Sequence, residues 1–205
     1  MSPRRSKLSR KEILDTALAI VDEKGLDELS MRNLAGRLNV QAMSLYNHIK
    51  NKEELLYGIV EIVVCEVELS QPSDDWKEDL RQAAMAFRKV LLRHPNVIPI
   101  LSAHSPLTDK GREQTEKLIS ILKVLDMSDF EAYSFMHIMI SYIIGHAGMS
   151  VTNLTDLKTR EIDYLHQTKR YPQAVEIEFV QRNMDEEFLS GFNLMLDGLA
   201  QRKEI

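Results

Sequence analysis

The stretch Gln41–Lys52 reads QAMSLYNHIKNK and packs many hydrogen-bonding side chains into twelve positions. Gln41 and Asn47 carry amides that both donate and accept, Ser44 carries a hydroxyl, and Lys50 and Lys52 carry cations. Asn pairs with adenine, Ser bonds several base edges, and a Met such as Met43 can touch a thymine methyl, so this set suits reading a duplex groove about 12 Å wide. Tyr46, His48, Lys50 and Lys52 fall where phosphates would pass. On a helical wheel with Leu45 at zero, Ile49 falls near ~40° and Ala42 near ~60°, giving one apolar face. Met43, Asn47 and Ser44 point the other way. An ordinary solvated helix in a three-helix bundle would look similar, and the wheel alone leaves both readings open.

Other chemistries find little footing. The chain contains no GxSxG, Walker loop, HExxH or dinucleotide fingerprint, and its many carboxylates form no persuasive acid–base pair. No catalytic residue, cofactor or metal site is expected. His137 and His146 are nine residues apart, about 900° around a helix, so they project from opposite sides and cannot share an ion. The one cysteine, Cys65, excludes an intrachain disulfide and fits a reduced compartment. Its place within the apolar run Ile62–Val67 predicts a buried packing role.

The elements that would position these residues are helical. Ser9 with Glu12 forms a capping box ahead of Ile13, Leu14, Ala17, Leu18, Ile20 and Val21, and Gly25 can stop that helix, giving 10–24. Ser30 caps a second helix over 31–38, Asn39 suits a tight turn, and a third helix spans 42–49. Asn51 caps a fourth that carries apolar residues to Val67. A polar break at 71–75 follows. Further helices are predicted over 76–93, 96–103, 109–125, 128–152, 173–182 and 185–202. Residues 1–8 read as a basic arm and 154–171 as a polar connection.

Composition agrees with an all-α chain: 205 residues, 44% hydrophobic, with only 8 Gly and 6 Pro. The net charge is −5, but residues 1–52 hold ten Lys/Arg against six Asp/Glu, while the remainder holds sixteen against twenty-five. A basic head on an acidic body marks one end for an anionic partner. No secretory signal is visible, and the apolar stretch Phe135–Gly145 is short of the ~20 residues a bilayer needs. A soluble, cytoplasmic protein with no membrane partner is expected.

The segment Ser30–Leu56, SMRNLAGRLNVQAMSLYNHIKNKEELL, closely resembles the DNA-binding signature of TetR-family regulators. Residues 76–94 and 188–200 are similar to the C-terminal domain of the family's tetracycline-binding members. The resemblance implies a three-helix helix-turn-helix domain at 1–54 and a larger helical ligand-binding and dimerisation domain at 55–205. It implies double-stranded operator DNA as partner, contacted by Arg32, Gln41, Ala42, Met43, Ser44, Tyr46, Asn47, His48, Lys50 and Lys52. Asn47 departs from the aromatic of those members, Asn39 from their turn glycine and Met43 from their proline, so a different operator is expected.

It further implies a homodimer formed through the helix at 128–150 and the last helix. Met136, Met139, Ile140, Ile143, Phe188, Phe192, Met195 and Leu199 are the candidate interface residues, with an internal core as the competing reading. The effector cavity would draw on Phe87, Ile100, His104, Leu118, Tyr133, His137 and Tyr142. Phe87 matches an aromatic of the tetracycline pocket. Leu101 replaces its metal-binding histidine, and Ala83 and Glu68 replace other polar contacts, which favours a hydrophobic or aromatic effector. The expected function is a ligand-released repressor. A transcriptional activator, or a regulator without ligand, stays open, and a helical enzyme is the distant alternative.

Overall fold

Ser9 begins the first helix as its sequence suggests: its side chain accepts from the Glu12 amide at 3.2 Å. In the computed structural model, residues 8–103, 109–151 and 183–202 are described. Nine α-helices run through them: α1 (Arg10–Lys24), α2 (Met31–Leu38), α3 (Ala42–Leu45), α4 (Lys52–Cys65), α5 (Trp76–Arg93), α6 (Ile98–Ala103), α7 (Asp109–Lys123), α8 (Asp129–Val151) and α9 (Met184–Gln201). Short 3-10 turns at Leu26–Glu28 and Pro95–Val97 precede α2 and α6. No strand occurs among the described residues, so the all-α expectation holds. The arm at 1–7, His104, the connection at 154–171 and the helix expected at 173–182 lie outside them.

By compactness the chain divides into Met1–Ala147 and Gly148–Ile205. In the first unit α1 packs on α2 and α4, α2 on α3, and α4 on α5, α6 and α7. Helix α4 runs unbroken through residues 54 and 55, where the sequence suggested a domain boundary. Its inner side is Leu55, Gly58, Ile59, Val60, Val63 and Val64, all buried.

Cys65 corrects the expectation of burial, for it is exposed. An apolar run does not decide burial; helical phase does, and residue 65 faces away from Val60, Val63, Val64 and Val67. Partial burial, then the neighbouring Glu61, push its thiol up.

Just past α4 the chain stays coiled, and the Val67 amide bonds the Val64 carbonyl at 3.1 Å. Gln114 of α7, itself buried, ties down this end: its Nε2 donates to the carbonyls of Val64 at 3.1 Å and Val67 at 2.8 Å. The polar break at 71–75 is likewise ordered by bonding. Ser73 donates its amide and hydroxyl to the carboxylate of buried Asp79 at 2.7 and 2.8 Å, and Asp75 caps α5 by accepting from the Glu78 amide.

Helix α8 has 23 residues and a mean hydropathy of 1.2 over its most apolar window, enough by length and composition to cross a membrane. The uninterrupted run at 135–145 understated it, because polar side chains are spaced along its exposed side. His137 is exposed and His146 buried, on opposite faces as their spacing requires.

In the second unit α9 buries Phe188, Phe192, Leu196 and Leu199, with the two phenyl rings stacked at 5.8 Å. Asn183 caps it by accepting from the Asp185 amide at 3.1 Å, and Asp185, Glu186 and Glu187 place negative charge at its positive end.

A Cβ at position 58 would lie 2.4 Å and 2.8 Å from the two terminal carbons of Leu14 on α1. Gly58→Val should therefore destabilise the fold by about 1–3 kcal/mol. Combined with Leu14→Ala, it should cost less than the two single losses together, because the truncation opens the space. Urea melts of the four proteins test this; strict additivity would show that the two helices do not meet there.

Candidate nucleic-acid interface

The turn between α2 and α3 is set by one residue. Asn39 ends α2 with φ 54° and ψ 44°, a left-handed conformation that Asn tolerates better than most side chains. Its amide bonds the Gly36 carbonyl at 3.1 Å, and the Val40 amide bonds that of Ala35 at 3.0 Å, closing the end of α2. At the other end the Ser30 hydroxyl accepts from the Asn33 amide at 3.1 Å. Asn33 returns its side-chain amide to the Glu28 carbonyl at 2.9 Å, fixing the entry to the helix.

Helix α3 is shorter than the periodicity predicted: one turn, Ala42–Leu45, with turns to residue 48. The chain nevertheless stays coiled, since the Ile49 amide bonds the Leu45 carbonyl at 2.9 Å. Leu45 and Ile49 are fully buried and anchor the segment. Ala42, assigned by the wheel to the same apolar face, is exposed. It is the first residue of a one-turn helix, and no neighbouring turn lies beneath to cover it.

Around these anchors lie the side chains named from the sequence. Arg32, Gln41, Ala42, Met43, Tyr46, Asn47, Lys50 and Lys52 are exposed, and Ser44 and His48 are half-buried. Met43 is 75% exposed, an unusual position for so large an apolar side chain. Lys52 opens α4, whose start is held by a reciprocal cap. Asn51 Oδ1 accepts from the Glu54 amide at 2.8 Å, and Glu54 Oε2 accepts from the Lys50 amide at 2.7 Å.

Not every nearby cation is available to a phosphate. Arg37 makes a bidentate pair with Glu23 of α1, which raises the guanidinium's pKa and holds the Glu23 carboxyl below its usual range. Arg10 lies 3.6 Å from Glu61. Pairs between residues as distant as 23 and 37 leave no mark in local periodicity, and sequence reasoning missed them.

The expected effector residues divide. Ile100 is buried, and Phe87, Leu118 and Tyr142 are half-buried. Tyr133 and His137 are exposed on α8, their rings 4.5 Å apart, so they do not line an interior cavity of the single chain. His104 lies outside the described residues.

The expected dimer residues also need revision. Met136, Met139, Ile143, Phe188, Phe192 and Leu199 are buried within one chain, leaving little surface for a second. Ile140 and Met195 are half-buried. Helix phase, not apolarity alone, decides which side is free. On α8 the exposed residues are Asp129, Phe130, Tyr133, His137, Ile138, Ser141, Gly145 and Met149, so past its first residue the exposed side carries no Asp, Glu, Lys or Arg. On α9 the exposed apolar side chain is Leu194.

Replacing Asn39 tests the turn. Asn39→Gly should leave stability nearly unchanged, while Asn39→Val should cost about 1–2 kcal/mol, because a β-branched residue resists the left-handed region. Thermal melts read both; a valine variant as stable as the glycine variant would remove the left-handed turn.

Residues 13–58 match the family described as bacterial regulatory proteins, tetR family, and residues 70–203 match the tetracyclin repressor-like C-terminal domain. The class D tetracycline repressor of Escherichia coli is 39% identical over 92 residues, which is 43% of this chain and 42% of that repressor. The chain thus aligns with less than half the length of that relative. The class G tetracycline repressor of Vibrio anguillarum is 35% identical over 143 residues, 68% of each chain. Among solved structures, apo ActR of Streptomyces coelicolor superposes with a TM-score of 0.84 at 27% identity, covering 95% of each chain. The complex of ActR with actinorhodin gives 0.83 at 27% identity, covering 98% of this chain and 97% of that one.

Proposed function

The chain belongs to the TetR family of bacterial regulatory proteins, DNA-binding regulators rather than enzymes, and from that premise we propose that it is a ligand-responsive repressor. It binds a palindromic operator as a homodimer and leaves when a small-molecule effector binds. The observation that carries this reading is the anchored recognition turn. Leu45 and Ile49 are sunk in the head while Gln41, Ala42, Met43 and Asn47 stand outward beside the exposed cations Arg32, Lys50 and Lys52. Gln41, Met43, Ser44 and Asn47 read base edges; Tyr46, His48, Lys50 and Lys52 hold the backbone.

A dimer would present two such turns about 34–36 Å apart, one helical repeat of DNA. The uncharged stripe of α8 supports that assembly, because isolated surfaces seldom leave Phe130 78% and Ile138 56% exposed without a partner. The half-buried Ile140 lies on the same helix. The domain division at 54 and 55 serves the proposal only loosely, since α4 belongs to both parts.

An effector that is hydrophobic or aromatic suits Phe87, Ile100, Leu118 and Tyr142. The complex of ActR with actinorhodin supports a small-molecule effector for this fold. The replacement of a metal-ligating histidine by Leu101, which is buried, speaks against a ligand held through a metal. The effector acts by binding the DNA-incompetent state more tightly, and its differential affinity sets the loss of operator binding.

With an operator obtained by in vitro selection, Tyr46→Ala and Lys52→Ala should weaken binding while leaving the melting temperature unchanged. Lys52→Ala should lower the salt slope of log affinity by about 1. Asn47→Ala should relax the preference at one base position by about 1–3 kcal/mol. Wild-type affinity in the first two variants would sink the interface.

Ile138→Asp tests the dimer surface. Sedimentation should give a dimer at least ~10-fold weaker, about 1.4 kcal/mol; an unchanged dissociation constant would exclude this face of α8.

A further inference from the structure

Where α5 ends, a side chain outside the DNA-reading face joins three helices. His94 follows the last residue of α5, and its side chain is only 13% exposed. Its Nδ1 lies 2.9 Å from Oδ2 of Asp22 on α1. Its Nε2 lies 3.2 Å from Oε2 of Glu66, the residue after α4. Arg93 of α5 approaches the same Glu66 oxygen at 2.9 Å. Asn96, uncharged, donates its amide to the Val21 and Asp22 carbonyls at 3.0 and 3.1 Å. The other Asp22 oxygen, Oδ1, is shielded and makes no hydrogen bond, so the imidazole is the group that compensates that carboxylate.

A carboxylate oxygen only accepts, and an imidazole has two N–H groups only when it is protonated. A neutral ring can donate to Asp22 or to Glu66, but it turns a lone pair toward the other. We propose that His94 is a positioning residue which, as an imidazolium, clasps α1 to the ends of α4 and α5, and that losing its second proton opens one side of the clasp. The proposal rests on reading residues 30–52 as the DNA-binding head, because α1 is the helix on which α2 packs. The attitude of the head then depends on one proton.

The sign follows from the charges around the ring. Asp22 from α1 and Glu66 after α4 are acceptors, and Arg93 from α5 adds a cation that shares Glu66 without replacing the contact to Asp22. The clasp is complete while the ring holds both protons and loses one bond when it gives one up. Histidines in general change charge between about pH 5 and pH 8.

The experiment uses the full chain without DNA. In protein labelled with 15N-histidine, a pH series should run from an acid end at which both His94 nitrogens carry protons to a basic end at which one has lost its proton. Hydrogen exchange at residues 21–24, corrected for intrinsic rate, should speed up about tenfold over that interval, as expected for the loss of one charged hydrogen bond. His94→Asn should flatten that dependence. A neutral ring at the acid end, or the same exchange profile in wild type and H94N, would overturn the clasp. If H94N does not fold, the nitrogen shifts of the wild type decide alone. Neither readout needs an operator, so failure of the clasp and failure of DNA binding are told apart.

Discussion

The close crossing of α1 over α4 is the constraint on which the first unit depends. It exists because residue 58 has no side chain where the end of Leu14 lies. A wider crossing would separate Ile13, Leu14, Ala17 and Val21 from Leu55, Ile59 and Val60, and those residues form the buried centre of the head. Once the crossing is closed, α4 has one side for α1 and others for α5, α6 and α7. It is a shared wall, and no linker separates what it joins. Gln114 makes the wall firm at its far end by donating to the buried carbonyls of Val64 and Val67, where α4 ends. An unsatisfied buried group of that kind costs about 1–3 kcal/mol.

The head divides its residues between holding and reading. Leu34, Leu45 and Ile49 hold. Ser30, Asn39 and Asn51 shape the ends and turns without contributing much core. Arg37, which composition counts as positive charge for an anionic partner, is spent on Glu23 within the protein. The basic character of the first fifty residues is therefore concentrated in fewer places than a charge count suggests, and Arg32, Lys50 and Lys52 are among them.

Much of this was legible because it is local. The boundaries of α1, α2 and α5 follow from caps three residues from their partners and from 3.6-residue periodicity, which interactions within one helix determine. The outward set from Gln41 to Lys52 was legible for the same reason. Local rules failed at Ala42, the exposed first residue of a single turn, and at Cys65, where apolar neighbours disguised an outward phase. They failed again at Met136, Met139, Ile143 and Phe188, which are apolar because they fill one chain's own interior. The surface stripe on α8 contains Ser141 and Gly145, which no hydrophobicity count would select. His94, Gln114 and Arg37 meet partners 14 to 72 residues away, and no spacing encodes such contacts.

The brevity of α3 has a consequence for how a site is found. A single helical turn is about 6 Å long, and successive base pairs are about 3.4 Å apart. Even with Gln41 ahead of it and Asn47 behind, one copy reading DNA as proposed would spell a word of only a few letters. A genome offers on the order of 10⁶–10⁹ competing positions, and so short a word recurs throughout it. In the dimer proposed above, the address would be written in the distance and twist between two words as well as in the words themselves, so the span joining two copies would share the targeting with the residues that touch DNA.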